Sequence, residues 1–389
     1  MRTVSRLQFG FAQRLAALYA ALIFVFGIQL PFFPIWLRAK GLDVQMIGVV
    51  LAAPIFARLF AIPLVARVAD RHDALRAAII VSTAASVLGY AAVGLAEGSV
   101  AILIAFAIAS FAATPQMPLA DSYALRGLTA RGLAYGPVRL WGSAAFILGS
   151  FFAGFVSDFI PARHLIWLIV GATAVGALSA LALAPLHIGP PAVAAPAPRR
   201  SLLADPVFVT VLVATSLIQS SHAVYYGFSA LQWRAAGLDG TAIAALWALG
   251  ILAEIVLFAL QARLPPFFKP HVLMLIGGLG GTLRWTIMAL NPPLALLPLL
   301  QLLHAASFGA THLGTMGFVA ATAPAGQGAT AQGYFAVAQG TALAAATALS
   351  GVLYGRFGSL AYAAMASAAI AGGCAAYIAN RVARRVAVV

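Results

Sequence analysis

Residues 13–43 read QRLAALYAALIFVFGIQLPFFPIWLRAKGLD. The first part, 13–36, holds one charge, Arg14, and is long enough to cross a bilayer, which takes about 20 mostly apolar residues in a helix. It then stops at a turn of glycine and charges, Arg38-Ala39-Lys40-Gly41-Leu42-Asp43. Comparable runs follow at 44–66, 77–96, 100–124, 138–157 and 165–186, and then at 207–233, 241–262, 272–290, 294–320, 331–354 and 360–378. Gly, Pro and charge clusters such as Pro265-Pro266 and Asn291-Pro292-Pro293 separate them. The chain therefore reads as an all-α membrane protein of twelve transmembrane helices. Composition agrees, because 8% of residues are charged where a soluble domain carries roughly 25%.

A formal charge of +14 would suit nucleic acid if it were clustered, but here it is sorted by side. With the N-terminus inside, sixteen Arg and Lys residues fall in cytoplasmic segments, Arg67, Arg76, Arg126, Arg199 and Arg200 among them. Only five, Arg38, Lys40, Arg163, Arg234 and Arg356, fall on the other side. Such an excess of inward positive charge fixes topology. It implies cytoplasmic termini, a bacterial inner-membrane location with lipid as the surrounding partner, and no nucleic-acid role. The single Cys374 excludes an internal disulfide and a thiolate metal cluster, so neither metal nor cofactor is expected. The first run lacks an A-x-A cleavage site and outruns a signal h-region, so it is expected to remain as the first span.

Residues 187–206, HIGPPAVAAPAPRRSLLADP, are rich in Pro and Ala and carry paired arginines. They read as a semi-extended cytoplasmic linker between two six-helix bundles, 1–186 and 207–389. The two halves share sequence: Arg38-Ala-Lys-Gly41-Leu-Asp43 reappears 196 residues later as Arg234-Ala-Ala-Gly237-Leu-Asp239. Parallel repeats about an axis normal to the membrane would produce this match. At the same offset Arg58 corresponds to Glu254, so charges of opposite sign occupy equivalent depths.

Ionisable groups at mid-membrane cost about 2.5 to 3.5 kcal/mol each on insertion scales, so they should face a cavity or a partner. Arg58, Glu254 and Arg284 lie near the middle of their runs, with His304 at similar depth; Asp121 is near the end of the fourth and Arg139 at the start of the fifth. Glu254 is the sharpest candidate for a protonation switch, and a static ion pair with Arg284 is the alternative. Gln219, His222 and Tyr226 recur at i, i+3 and i+7, a polar stripe suited to lining a cavity or to bonding between helices. The segment 66–73, ARVADRHD, resembles the cytoplasmic loop between helices two and three of the major facilitator superfamily, with Asp73 where that loop usually has a glycine; the resemblance implies that Asp70 and Arg71 latch a gate.

Several stretches together resemble the phenylpropionate permease family of the major facilitator superfamily, a branch close to the lactose permeases. They are Tyr135-Gly-Pro-Val-Arg139-Leu-Trp141-Gly-Ser143, His222-Ala-Val-Tyr-Tyr226-Gly-Phe-Ser229, Ala253-Glu254, Leu283-Arg284-Trp285 and Gln301-Leu-Leu-His304. The resemblance covers essentially the whole chain. It implies that Asp121, Arg139 and Phe146 contact substrate, and that Glu254, Arg284 and His304 form a proton-linked set. One departure stands out: Ser307 occupies a position where the lactose permease pattern has a second carboxylate.

The expected function is proton-coupled import of a small organic acid, such as 3-phenylpropionate, by alternating access. Arg139 or Arg284 would neutralise the carboxylate, and Phe146 and Tyr226 would contact the ring. The proton gradient would supply the energy and a monomer would suffice. Sugar or nucleoside symport is the nearest alternative, and drug efflux follows. An intramembrane enzyme is disfavoured, because the runs show no Ser/His dyad with a supporting acid, no paired-aspartate motif and no H-E-x-x-H.

Overall fold

The computed structural model describes residues 2–186, 201–324 and 327–386, so most of the expected linker, 187–200, lies outside the described residues. Among the described residues every regular element is helical. The first half holds α1 (Arg2–Ala39), α2 (Val44–Arg71), α3 (Leu75–Leu95), α4 (Ser99–Ala113), α5 (Gln116–Thr129), α6 (Tyr135–Ser157) and α7 (Ile166–Leu181). The second holds α8 (Pro206–Ser220), α9 (Ala223–Ala235), α10 (Gly240–Leu260), α11 (Pro270–Ala289), α12 (Leu297–Leu302), α13 (Thr311–Thr322), α14 (Gly328–Phe357) and α15 (Ala361–Val386).

Among the described residues, eleven helical stretches are long and apolar enough to cross a membrane. The last of them, Thr330–Ala383, runs 54 residues and contains the short turn Gly358–Leu360 between α14 and α15.

Several expected single helices are broken. The fourth run bends at Thr114-Pro115 into α4 and α5, which puts Asp121 inside α5 rather than near a helix end. The seventh breaks at Ser221-His222 into α8 and α9. The tenth becomes α12, a π-helical turn over Ala305–Ala310, and α13. Conversely, α2 continues through Arg71, so Asp70 and Arg71 lie in its last turn and not in a loop. The chain reverses at Asp73 instead, whose φ of +46° is the left-handed conformation that glycine adopts most easily and aspartate tolerates.

The repeated turns share their geometry as well as their sequence. Gly41 and Gly237 have φ of +86° and +94°, which a side chain would strain. Each helix closes in the same way, with Leu42 N–H donating to Leu37 O at 3.2 Å and Leu238 N–H to Trp233 O at 3.0 Å. Asp43 then accepts from Met46 N–H, and Asp239 from Ala242 N–H, both at 2.7 Å, capping the next helix.

The chain divides into two compact units, Met1–Ala192 with Ala230–Ala248, and Val193–Ser229 with Leu249–Val389. Residues 230–248, which the sequence reading assigns to the second bundle, group with the first unit. Within the first unit α1 packs on α6 and α7, α3 on α4 and α7, and α2 on α4. Within the second, α8 packs on α14 and α15, and α11 on α13 and α15. Counted as successive spans, four pairings of the first unit recur in the second: first with fifth, first with sixth, third with fourth and third with sixth.

Candidate functional site

In the first unit the charges meet where α1, α5 and α6 approach one another. Asp121 Oδ1 accepts two phenol hydrogens, from Tyr19 at 2.5 Å and Tyr135 at 2.8 Å. The two rings stand edge-on, 6.1 Å apart. Tyr135 opens α6 and Arg139 follows one turn later on the same face, its guanidinium carbon 5.6 Å from the Tyr19 ring centre. Asp121 and Arg139, both implied by the resemblance to contact substrate, form no ion pair with each other. Gly142 leaves the room that Arg139 uses, since a Cβ there would stand 2.7 Å from Arg139 Nη1. Phe146 is 9% exposed, and its carbonyl lies so close to Gly27 of α1 that a Cβ at Gly27 would strike it. Arg58 is exposed on α2 and pairs with no described carboxylate. Asp70 is engaged: Arg126 reaches it at 3.0 Å and Asp73 at 3.4 Å. Among the described residues Arg71 forms no ion pair.

In the second unit the polar groups form one connected set. Arg284 of α11 is fully buried, donating to Gln301 Oε1 at 2.7 Å and bonding His304 Nδ1 at 3.0 Å, with its guanidinium 4.5 Å from the Tyr225 ring centre. An arginine only donates, so His304 Nδ1 must accept and the ring hydrogen sits on Nε2. That nitrogen lies 3.5 Å from Glu254 Oε2. Of the two readings of Glu254 and Arg284, a direct ion pair is therefore absent, and His304 stands between them.

The stripe on α8 and α9 is divided in role. His222 is fully buried, and both ring nitrogens are engaged, Nδ1 with Gln219 O at 3.2 Å and Nε2 with Ser307 Oγ at 3.1 Å. A carbonyl only accepts, so Nδ1 donates and Ser307 donates to Nε2. Tyr226 stacks on His222 with ring centres 5.6 Å apart. The Gln219 side-chain oxygen is buried without a hydrogen-bond partner. Ser307, in place of the carboxylate of the lactose permease pattern, thus serves a histidine from the π-helical turn; such turns often mark functional sites. This is a Ser/His pair, but a carbonyl orients its ring where a hydrolase would use an acid.

Four contributors to these clusters, Tyr19, Tyr135, Tyr225 and Gln301, escape a sequence reading of roles. An isolated tyrosine in an apolar run is compatible with packing or an interfacial belt. Tyr225 packs, being 2% exposed, and what it packs against is a buried guanidinium. Trp36, Trp233 and Phe228 do pack, being almost fully buried.

Among the described residues the chain is helical throughout, with helix pairings repeated in the two units and ionisable groups inside apolar helices of each, which is the design of a polytopic membrane protein. The chain belongs to the MFS_1 like family, whose model matches residues 13–365. It is a multi-pass inner-membrane transporter of the major facilitator type. It is 33% identical over 348 residues to the Probable 3-phenylpropionic acid transporter of Escherichia coli (strain K12), covering 87% of this chain and 90% of that protein. It is 29% identical over 283 residues to the Maltose permease of Geobacillus stearothermophilus, covering 71% of this chain and 70% of that one. Among solved structures, the nucleoside transporter NupG superposes with a TM-score of 0.80 at 18% identity, over 95% of this chain and 98% of that one. A D-xylose-proton symporter superposes with a TM-score of 0.70 at 13% identity, over 94% and 97%.

Proposed function

We propose that the protein imports a small aromatic carboxylic acid, such as 3-phenylpropionate, together with a proton, through twelve spans with both termini cytoplasmic. The observation that carries this reading is Arg139, a half-buried guanidinium with no carboxylate partner among the described residues. A cation in that setting calls for an anion, and the planar fork of arginine matches a carboxylate. Phe146, two turns along α6, would pack against the aromatic part. The 33% identity to a probable transporter of that acid supports the substrate class. Arg284 is a poorer anchor, because it is fully buried and already bonded to Gln301 and His304.

Glu254 is the proposed proton carrier. His304, with its hydrogen directed to Nε2 by Arg284, offers the carboxylate a donor and has no lone pair left on that nitrogen. One proton moving with one monoanion is electroneutral, so the pH gradient alone would drive uptake, at about 1.4 kcal/mol or tenfold accumulation per pH unit. Gating by the Asp70–Arg126 contact and exchange by alternating access complete the reading.

The test is uptake of labelled 3-phenylpropionate into proteoliposomes with an alkaline interior, comparing wild type with Glu254→Gln. Accumulation that follows the pH gradient and disappears in the variant is expected. Equal accumulation in both would remove Glu254 from the mechanism. A second reading, sugar or nucleoside symport, draws on the maltose permease relative and the NupG likeness. Uptake that maltose or uridine suppresses and aromatic acids do not would favour it.

A further inference from the structure

Asp121 and Arg139 carry opposite charges on neighbouring helices of one unit, yet the carboxylate is spent elsewhere. Both of its hydrogen bonds come to a single oxygen, from Tyr19 of α1 and from Tyr135 of α6. Tyr19 stands between the charges, with its hydroxyl on Asp121 and its ring facing the Arg139 guanidinium at 5.6 Å. Tyr135 holds the same oxygen from the other side, one turn before Arg139.

We propose that Tyr19 and Tyr135 are specificity residues that hold Asp121 off Arg139, leaving that guanidinium to bind the carboxylate of an organic acid. This rests on the organic-acid reading of the same site. The physical case is competition. A tethered carboxylate on an adjacent helix is present at a far higher effective concentration than a substrate at micromolar to millimolar levels. Without another holder, Asp121 would satisfy Arg139 and close the anion site. Two phenols supply charge-assisted bonds to the carboxylate and bring no charge of their own to the site. They leave the Arg139 side chain in the space made by Gly142 and partly exposed, where an incoming anion can reach it.

The test is equilibrium binding to the purified full chain, by scintillation proximity, of 3-phenylpropionate and its neutral amide. Variants are Tyr19→Phe, Tyr135→Phe, Asp121→Asn and Tyr19→Phe combined with Asp121→Asn, each first passed as a single monodisperse species. Wild type is expected to bind the acid and not the amide. Tyr19→Phe should weaken acid binding on the order of tenfold, the scale of one lost charge-assisted hydrogen bond. Adding Asp121→Asn should restore the affinity, because the competing charge is gone; a tyrosine that merely supported the fold would show no such rescue. Tyr135→Phe should weaken binding in the same direction, which keeps the test decisive if Tyr19→Phe does not fold. Loss of affinity that Asp121→Asn fails to rescue, or loss of acid binding in Asp121→Asn alone, overturns the proposal while the organic-acid reading stands. If wild type binds benzoate or another monocarboxylate in place of 3-phenylpropionate, the same variants are scored with that acid, and only the named substrate is lost. Binding of neutral sugars in place of every carboxylate overturns both.

Discussion

Replacing Asp158 should loosen the end of the first unit where α10 begins. Asp158 follows the last residue of α6, and its two oxygens serve an entire helix start. Oδ1 accepts from Gly240 N–H at 2.6 Å and Arg234 Nη1 at 3.0 Å, while Oδ2 accepts from Thr241 N–H and Thr241 Oγ1, both at 3.2 Å. Arg234 also donates to the Ser157 carbonyl at 3.1 Å. With Asp239 accepting from Ala242 N–H, two carboxylates satisfy three of the four N–H groups that a helix start leaves open. Capping losses run at about 0.5–2 kcal/mol, and bonds to a charged group at about 1.5–3 kcal/mol before solvent replaces them. Asp158 and Arg234 are 21% and 32% exposed at their side chains, so water recovers part of this. Asp158→Ala should therefore destabilise by about 3 kcal/mol in total, with Asp158→Asn in between because its amide keeps one acceptor. For a chain of 389 residues this lowers the thermal midpoint by about 4 °C, read by tryptophan fluorescence in detergent.

The acid dependence gives the same prediction a second readout. Burial raises the Asp158 pKa, but the bonds from Gly240, Arg234 and Thr241 outweigh it and hold the carboxyl below its ordinary value of 3.8. A carboxyl depressed in the folded state adds stability that is complete above its unfolded pKa and is lost as pH falls through the folded one. The difference between wild type and Asp158→Asn should thus be full at neutral pH and shrink below about pH 4. Midpoints within 1 °C of wild type for both variants at neutral pH, or a gap that persists unchanged into acid, would refute the reasoning.

Two further outcomes are expected. Gly240→Ala should destabilise by about 1–3 kcal/mol, because the new Cβ would strike the Gly154 carbonyl oxygen and Ser157 Oγ, and a lowered thermal midpoint in detergent checks it. Arg284→Lys should cost about 1–3 kcal/mol by orphaning Gln301 Oε1 or His304 Nδ1; ¹⁵N NMR of labelled histidine should show His304 losing its single Nε2–H form.

The membrane class, the helical character and the internal repeat were legible in the amino-acid order, and for a physical reason. Lipid offers no hydrogen-bond partners, so each spanning segment must satisfy its own backbone and be apolar along its length, which leaves a long uninterrupted signature. The turn at Arg38–Asp43 and its copy at Arg234–Asp239 are similarly local, since a left-handed glycine and a capping aspartate act within a few residues. The left-handed turn at Asp73 is local in the same way, although its side chain also meets Arg126. The buried ionisable residues were visible too, because charge within an apolar run is conspicuous by itself.

What those charges touch was decided by tertiary structure. Sequence spacing allowed Glu254 to meet Arg284 directly, but the break of the tenth run into a π-helical turn rotates His304 and Ser307 onto opposite tasks, one between Glu254 and Arg284 and the other on His222. Asp121 and Arg139 were marked together as substrate contacts by the resemblance, and in the fold Asp121 bonds Tyr19 and Tyr135 and forms no ion pair with Arg139. A hydroxyl or amide in an apolar run has several possible partners at equal sequence cost. Helix rotation, the placement of breaks and the close approach permitted by Gly142 and Gly240 select one of them, and those are set by packing between segments far apart in the chain.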